Sequence, residues 1–156
     1  MGYRIEGLDP DLFERYRGRS DEQLASMNAE RVIADEDFSY PCRVSLEDVR
    51  IGDSLILLNF EHQSAASPYQ SRHAIFISES ADKAAIIHNT LPLQLRYRLL
   101  SIRAFDVNGK ILDADVVDGI GAEPLISRML AASTTAYLHI HFAKRGCFAA
   151  RVDRLD

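Results

Sequence analysis

The residue types best suited to chemistry lie in a C-terminal hairpin that begins at Tyr137. Residues 137–142 alternate strictly between apolar and polar or ring-bearing side chains, so Tyr137, His139 and His141 face one side of a strand. Two histidines at i and i+2 can share a metal ion, and imidazole together with a thiolate suits zinc. With Cys147, the same groups are also typical of a Cys–His pair in which the histidine activates the thiol.

The turn of this hairpin decides which side chains of the second strand join the histidine face. A three-residue loop that ends at Gly146 supplies the left-handed position that such hairpins need. In that register Cys147 opposes Ala143. Phe148 opposes Phe142, on a wholly apolar side. The other side then holds the polar set, which is Tyr137, His139, His141, Cys147 and Arg151.

Several functions fit this polar face. Our leading hypothesis is a small-molecule or anion-binding pocket, in which Arg151 holds a negative group and the loop 69–73 lies above it. One alternative is a metal- or thiol-dependent hydrolase or transferase that uses His139, His141 and Cys147, which are also the metal-ligand candidates. Another is an interaction module or homodimer. A purely structural face is the fourth interpretation, with the cysteine packed as a small apolar residue. No cofactor is predicted.

Other chemically capable residues lie outside the hairpin. The segment 67–73 brings together the phenol of Tyr69, the guanidinium of Arg72 and an imidazole, a composition typical of binding loops. We therefore count Tyr69 and Arg72 among the candidate ligand-binding residues. Cys42 is interpreted as a buried structural thiol, although its neighbour is a cation. His62 lies in or beside a loop and adds no specific signal.

Strands and a few short helices have to position these residues. Asn108-Gly109 between two apolar runs predicts a hairpin, and Ser20 followed by Gln23 predicts a capped helix. The other predicted helices are 11–17 and 124–131. The predicted strands are 3–8, 30–34, 54–60, 73–78, 99–105, 110–117 and the C-terminal pair. This pattern predicts an α+β fold with a mainly antiparallel sheet, a curled or barrel-like form being left open.

Bulk properties restrict the class of protein. A chain of 156 residues without repeats or linkers predicts one domain over 1–156. Residues 1–48 hold 12 acidic and 6 basic side chains, and the net charge is -5, so nucleic acid is not expected as a partner. The absence of a signal-like start or a long apolar run predicts no membrane association and a cytoplasmic location. Two cysteines in such a chain are expected to stay reduced.

Taken together, the motifs resemble a bacterial family catalogued as domain of unknown function 1203. The resemblance runs from about Tyr3 to Arg154 and lies in these segments: Pro41-Cys42-Arg43, 55–59, Ser67-Pro68-Tyr69, 74–77, 102–106, His139-Ile140-His141-Phe142, Gly146-Cys147-Phe148, Arg151 and Arg154. It implies a small stand-alone bacterial protein with no established activity and no known catalytic residues. It also implies that Cys42, Tyr69, Arg103 and the hairpin belong to one pattern, either a shared pocket or a shared core, which adds Arg103 to the candidate ligand-binding residues.

Overall fold

A computed structural model describes all residues from 1 to 156, and its main features are two antiparallel sheets. The larger sheet has six strands in the order β5-β1-β9-β8-β6-β7. These strands are β1 (Tyr3–Glu6), β5 (Ile86–His88), β6 (Leu99–Phe105), β7 (Ile111–Asp118), β8 (Tyr137–Phe142) and β9 (Phe148–Arg154). The smaller sheet has the order β2-β3-β4, with β2 (Glu30–Ile33), β3 (Ser54–Gln63) and β4 (Ser71–Ser78).

Helices are few and short, and they connect or cover the strands. They are α1 (Asp21–Ser26), α2 (Leu93–Arg96) and α3 (Ala122–Ala131), with 3₁₀ turns at Pro10–Tyr16 and Gly119–Gly121. The predicted capping box is present, because Ser20 Oγ accepts from the Gln23 amide and the Gln23 side chain accepts from the Ser20 amide. The α+β fold with mainly antiparallel strands is confirmed, and neither sheet closes into a barrel. No helix is long and apolar enough to span a membrane.

Each sheet has its own apolar cluster. On the larger sheet, Ile102 and Ile140 from central strands are fully buried against Ile126 of α3. On the smaller sheet, Leu55 and Ile75 pack in a second cluster that includes Phe13 and Leu24 from the N-terminal helices. Burying an aliphatic side chain of this size stabilises the fold by roughly 1.5–3 kcal/mol, so both clusters contribute substantially.

The two sheets are joined by a bridging segment, residues 41–46. Its Arg43 amide donates to Phe76 O of β4 at 3.1 Å, while Arg43 O accepts from the Leu8 amide just after β1 at 2.8 Å. Val44 O accepts from the Ala85 amide at 2.9 Å, just before β5. Because its backbone bonds to both sheets, the bridging segment fixes one sheet relative to the other.

Strand β3 runs further than its composition predicts. It continues through the polar residues His62 and Gln63, past an irregularity in pairing after Phe60, so the loop between β3 and β4 comprises only residues 64–70, and Arg72 and His73 belong to β4. Only its first half is buried on both faces, since Leu55 and Ile56 are inaccessible whereas Asn59 is exposed. The short strand β5, which had no clear sequence signal, pairs with β1 at the edge of the sheet.

The predicted register of the C-terminal hairpin is correct away from the turn and wrong beside it. Ile140 pairs with Ala150 as expected, but His141 pairs with Phe148, so β9 has one extra residue, Ala149, at this point. Such a β-bulge shifts the alternation of the strand by one residue.

The hydrogen bonds of the turn account for this register. Phe142 opposes Cys147 through the Phe142 amide and Cys147 O at 2.9 Å, and the Gly146 amide returns to Phe142 O at 2.8 Å. The loop therefore has four residues, 143–146, rather than three, with Gly146 in the predicted left-handed conformation at φ 80°. As a consequence, Phe148 joins the histidine face and Cys147 leaves it.

Candidate functional site

Three imidazoles meet between the two sheets. One potential ligand nitrogen from each of His62, His139 and His141 lies within 4.8 Å of the other two. The ring centroids of His62 and His141 are 4.9 Å apart, and that of His139 is 6.2 Å from His62 and 6.3 Å from His141. His139 and His141 are almost inaccessible, and His62 is partly exposed. We call these three residues the histidine cluster.

Different elements deliver the three rings. His139 and His141 share one face of β8 because side chains two residues apart on a strand point the same way. His62 comes from the far end of β3, where the next residue, Gln63, donates to the Tyr137 hydroxyl at 2.9 Å. That hydrogen bond holds the end of the smaller sheet against the histidine face of the larger one.

Aromatic rings enclose the cluster. Phe148 stacks on His62 with a centroid distance of 5.5 Å and an interplanar angle of 8°, and its ring meets His139 and His141 edge-on at 5.1 and 5.9 Å. Phe105 covers the other side of His139 at 4.9 Å. The imidazoles therefore lie in a largely apolar, aromatic environment.

Burial keeps all three rings neutral at ordinary pH. It lowers the pKa of His62 to about 4, that of His139 to about 2 and that of His141 to about 3. The positive charge of the nearby Arg103 guanidinium contributes to the same lowering of the three pKa values. The ring nitrogen Nδ1 of both His62 and His139 is buried and has no hydrogen-bond partner.

The tautomer of His141 is set by the hairpin turn. Its Nδ1 lies 2.9 Å from Gly146 O, and since a carbonyl can only accept, Nδ1 carries the proton. The lone pair is therefore on Nε2, which faces the Arg103 guanidinium at 3.5 Å. A backbone carbonyl that orients a histidine in this way is typical of metal-binding imidazoles.

Arg103 is the one cation at the cluster that has no carboxylate partner. It pairs with His139 across β6 and β8, and its Nε lies 3.3 Å from Ser101 Oγ. Half-burial lowers its pKa, but an arginine remains charged at neutral pH. Arg103, which the family resemblance grouped with the hairpin, therefore lies beside His139 and His141, and it adds a positive charge that is available to an anion.

The histidine cluster has a donor set suited to a divalent transition metal. Ligand nitrogens around tetrahedral zinc are about 3.4 Å apart for bonds of about 2.05 Å, so nitrogens that lie within 4.8 Å of one another would have to approach by up to about 1.4 Å to share an ion. Three protein ligands leave a fourth position for water or an anionic ligand.

Of the remaining predicted site residues, Tyr137 contacts the cluster, with its ring centroid 5.2 Å from that of His139, and the others do not join it. Arg151 opposes His139 as expected, yet its guanidinium covers the Tyr137 ring at 4.1 Å and binds Asp153. Tyr69 is exposed in the β3–β4 loop. The Arg72 guanidinium donates to Asn59 Oδ1. Its neighbour Ser71 lies on the other face of β4, where the Ser71 hydroxyl is 3.4 Å from His62 Nε2.

Cys147 lies on the other face of the hairpin, which corrects its predicted grouping with the histidines. Its Sγ is 3.1 Å from an amino group of Arg43, a side chain that is only 1% exposed. Arg43 also donates to Pro41 O at 2.6 Å and to Phe148 O at 2.8 Å, and no carboxylate balances its charge. Burial lowers the pKa of Arg43 to about 10, so it is cationic at neutral pH.

A cavity of about 510 Å³ opens above this pair. We call it the hairpin-turn cavity, and its wall includes Arg43, Phe142, Lys144, Arg145 and Cys147. Cys42 lies elsewhere, since its Sγ accepts from the Ser45 and Ser78 amides in the core of the smaller sheet. Both cysteines are free thiols.

Sequence reasoning missed three residues of these sites. His62 carries no spacing signal, because it is distant in sequence from His139 and its strand looks like a loop. Phe148 was assigned to the apolar face because the bulge was not foreseen. Arg43 was noted only as a neighbour of Cys42, although a lone arginine between apolar residues of a turn was a signal for a buried guanidinium.

Comparison with known proteins places the chain in a family. No curated protein and no solved structure matches it. The family described as "Protein of unknown function (DUF1203)" matches residues 39–154, a segment that holds the histidine cluster, the bridging segment and the whole hairpin. The family inferred from the motifs is confirmed over residues 39–154. The chain belongs to this family of proteins of unknown function.

Proposed function

We propose that the protein binds zinc or a similar divalent transition metal ion through His62, His139 and His141. The observation that carries the proposal is the convergence of three potential ligand nitrogens within 4.8 Å of one another between the two sheets. Neutral imidazole is the form that binds metal, and burial keeps these rings neutral. The buried Nδ1 atoms of His62 and His139 have no hydrogen-bond partner, and in the tautomer that leaves Nδ1 unprotonated each offers a lone pair to a cation.

Arg103 supports an anionic ligand at the fourth coordination position. A guanidinium 3.5 Å from His141 Nε2 repels a bare cation, and a negatively charged ligand bound to the metal offsets that repulsion. The anion-binding hypothesis is thereby retained, with Arg103 in the role first assigned to Arg151. A zinc ion with an open position also activates water, so a metal-dependent hydrolase is the enzyme class that this site fits. The free thiols Cys42 and Cys147 support a reducing, cytoplasmic setting.

Metal titration tests the proposal. The protein, stripped with a chelator and then dialysed, should bind one Zn²⁺ per chain by isothermal titration calorimetry. It should also take up Co²⁺ with the intense visible absorption of a four-coordinate site. His62→Gln should weaken Zn²⁺ binding by about 100-fold or more, because one of three ligands is lost and the other two are fixed. His62 is the ligand of choice because it is partly exposed, so the variant is expected to fold.

The matched control is His88→Gln, which removes an exposed histidine of β5 outside the cluster. It should bind Zn²⁺ as the unsubstituted protein does. A protein without stoichiometric Zn²⁺ binding would refute the metal site. Equal affinities of the His62→Gln and His88→Gln variants would show that the metal binds elsewhere.

A further inference from the structure

The hairpin-turn cavity is a second candidate site, on the opposite face of the hairpin from the histidine cluster. Its volume of about 510 Å³ lies in the range of small-molecule pockets. It is bounded by the bridging segment, the loop before it and the turn of the hairpin. We propose that this cavity binds a small aromatic anion, such as an aryl carboxylate, independently of any metal.

Positive charge dominates the cavity wall. The cations are Arg43, Arg98, Lys144 and Arg145, and Glu36 is the acid in the wall. A further acid, Asp48, binds Arg98 at 2.7 Å, so an excess of two positive charges remains. Lys144 and Arg145 are exposed at the mouth and have no ion-pair partner in the chain. An anionic ligand would supply the missing partner.

The buried end of the cavity carries an uncompensated charge. Arg43 is fully buried, and its hydrogen bonds go to two carbonyl oxygens and the Cys147 sulfur, none of which is a carboxylate. Burial of an unpaired charge is costly, and a nearby anion reduces that cost. The guanidiniums of Arg43 and Arg98 both lie over the Phe142 ring, at 5.0 and 5.2 Å, so the cationic wall is fixed in place.

Exposed aromatic side chains indicate the apolar part of the ligand. Phe38 and Tyr97 line the cavity, yet 79% and 76% of their surfaces are exposed. Phe38 also has a left-handed backbone, with φ 61°, which is unusual for a bulky residue. The segment around it is tied down by a 2.8 Å hydrogen bond from Arg98 to Phe38 O. Backbone strain of this kind is common at functional positions. The Phe38 ring faces solvent, so packing in the core does not account for the strained backbone.

Calorimetry with 2-naphthoate as the probe tests the proposal. The probe should bind saturably in the presence of a chelator, which excludes coordination to a metal in the histidine cluster. The neutral amide of the same ring and the non-aromatic cyclohexanecarboxylate should each bind at least about tenfold more weakly. Lys144→Gln combined with Arg145→Gln should weaken 2-naphthoate about tenfold. The charge-matched control, Lys83→Gln with Lys110→Gln, should leave its affinity unchanged, because both lysines are exposed outside the cavity.

Phe38→Asn separates binding from folding. Asparagine tolerates a left-handed backbone better than phenylalanine does, so the melting temperature should stay the same or rise. The affinity for 2-naphthoate should nevertheless fall by about fivefold or more, because the ring contact is lost.

Three results would overturn the proposal. One is the absence of saturable 2-naphthoate binding at millimolar concentration, and another is equal weakening by the control pair of lysine substitutions. The third is binding that depends on Lys144 and Arg145 but not on Phe38, which would refute the aromatic component. Because the chelator is present throughout, each of these results is distinguishable from failure of the metal site.

Discussion

Lowering the pH from 7 to 4.5 should reduce the free energy of unfolding of the metal-free protein by roughly 3–5 kcal/mol through His139 and His141 alone. Their pKa values of about 2 and about 3 in the fold lie well below the value of about 6.5 of an unfolded histidine. Between pH 6.5 and the folded pKa values, the unfolded chain therefore binds more protons than the folded chain. Stability is complete above pH 6.5 and falls as the pH drops below it.

Urea unfolding at half-unit intervals of pH measures this loss. His139→Gln should reduce the slope of stability against pH by up to about 1.4 kcal/mol per unit below pH 6, whereas His88→Gln should not change it. A slope that is the same in the His139→Gln variant and the original protein would contradict the prediction. If that variant does not fold, NMR titration of the original protein replaces it. His139 and His141 should then show no titration above pH 5, and His62 should show only the upper end of a titration centred at about pH 4.

Arg43→Ala should lower the free energy of unfolding by about 3–5 kcal/mol. The substitution removes a fully buried side chain, leaves Pro41 O and Phe148 O without their donors and takes a guanidinium from the Phe142 ring. It also loosens the place where the bridging segment meets the C-terminal hairpin. Chemical denaturation followed by circular dichroism measures the change.

Arg43→Met distinguishes the two causes of this loss. Methionine fills much of the same volume but donates no hydrogen bond, so its cost should be smaller, about 2–3 kcal/mol. Arg50→Ala, at an exposed arginine without an ion pair, should change stability by no more than about 0.5 kcal/mol. A cost below about 1 kcal/mol for Arg43→Ala would mean that water or other donors satisfy the two carbonyl oxygens.

Much of the fold follows from local patterns. The alternation of β8, the Asn108-Gly109 hairpin, the capped α1 and the helix with Pro124 in its first turn all lie where the sequence predicts them. Each depends on contacts between residues that are near neighbours in the chain. The partition into two sheets could not be predicted, since it depends on the bridging segment, whose hydrogen bonds reach β4 and the ends of β1 and β5.

The candidate site was predictable in part. Strand periodicity identified His139 and His141 on one face of β8, whereas Arg103 was identified only through the family resemblance; the pairing of β6 with β8 places it beside His139. His62 was not, because only tertiary packing brings the end of β3 over that face. The displacement of Cys147 was missed for a subtler reason. A bulge of one residue costs little locally, and its benefit lies in distant contacts of Phe148 and Arg43.

Because of the extra residue Ala149, odd-numbered side chains face the histidine cluster at one end of β9 and even-numbered side chains face it at the other. Between Ala150 and Arg154 the odd-numbered Arg151 lies on the histidine side, opposite His139. Beside the turn the even-numbered Phe148 lies on that side, opposite His141. One narrow hairpin therefore serves as a partition with a different chemical surface on each side, imidazoles behind Phe148 and a guanidinium beside Cys147. Deleting Ala149 would remove the bulge and leave Phe148 opposite His141 and Cys147 opposite Phe142, so both side chains would keep their sides of the partition. If Ala149 instead paired regularly with His141, Phe148 and Cys147 would exchange sides, so the identity of both compartments depends on the bulge as much as on residue type.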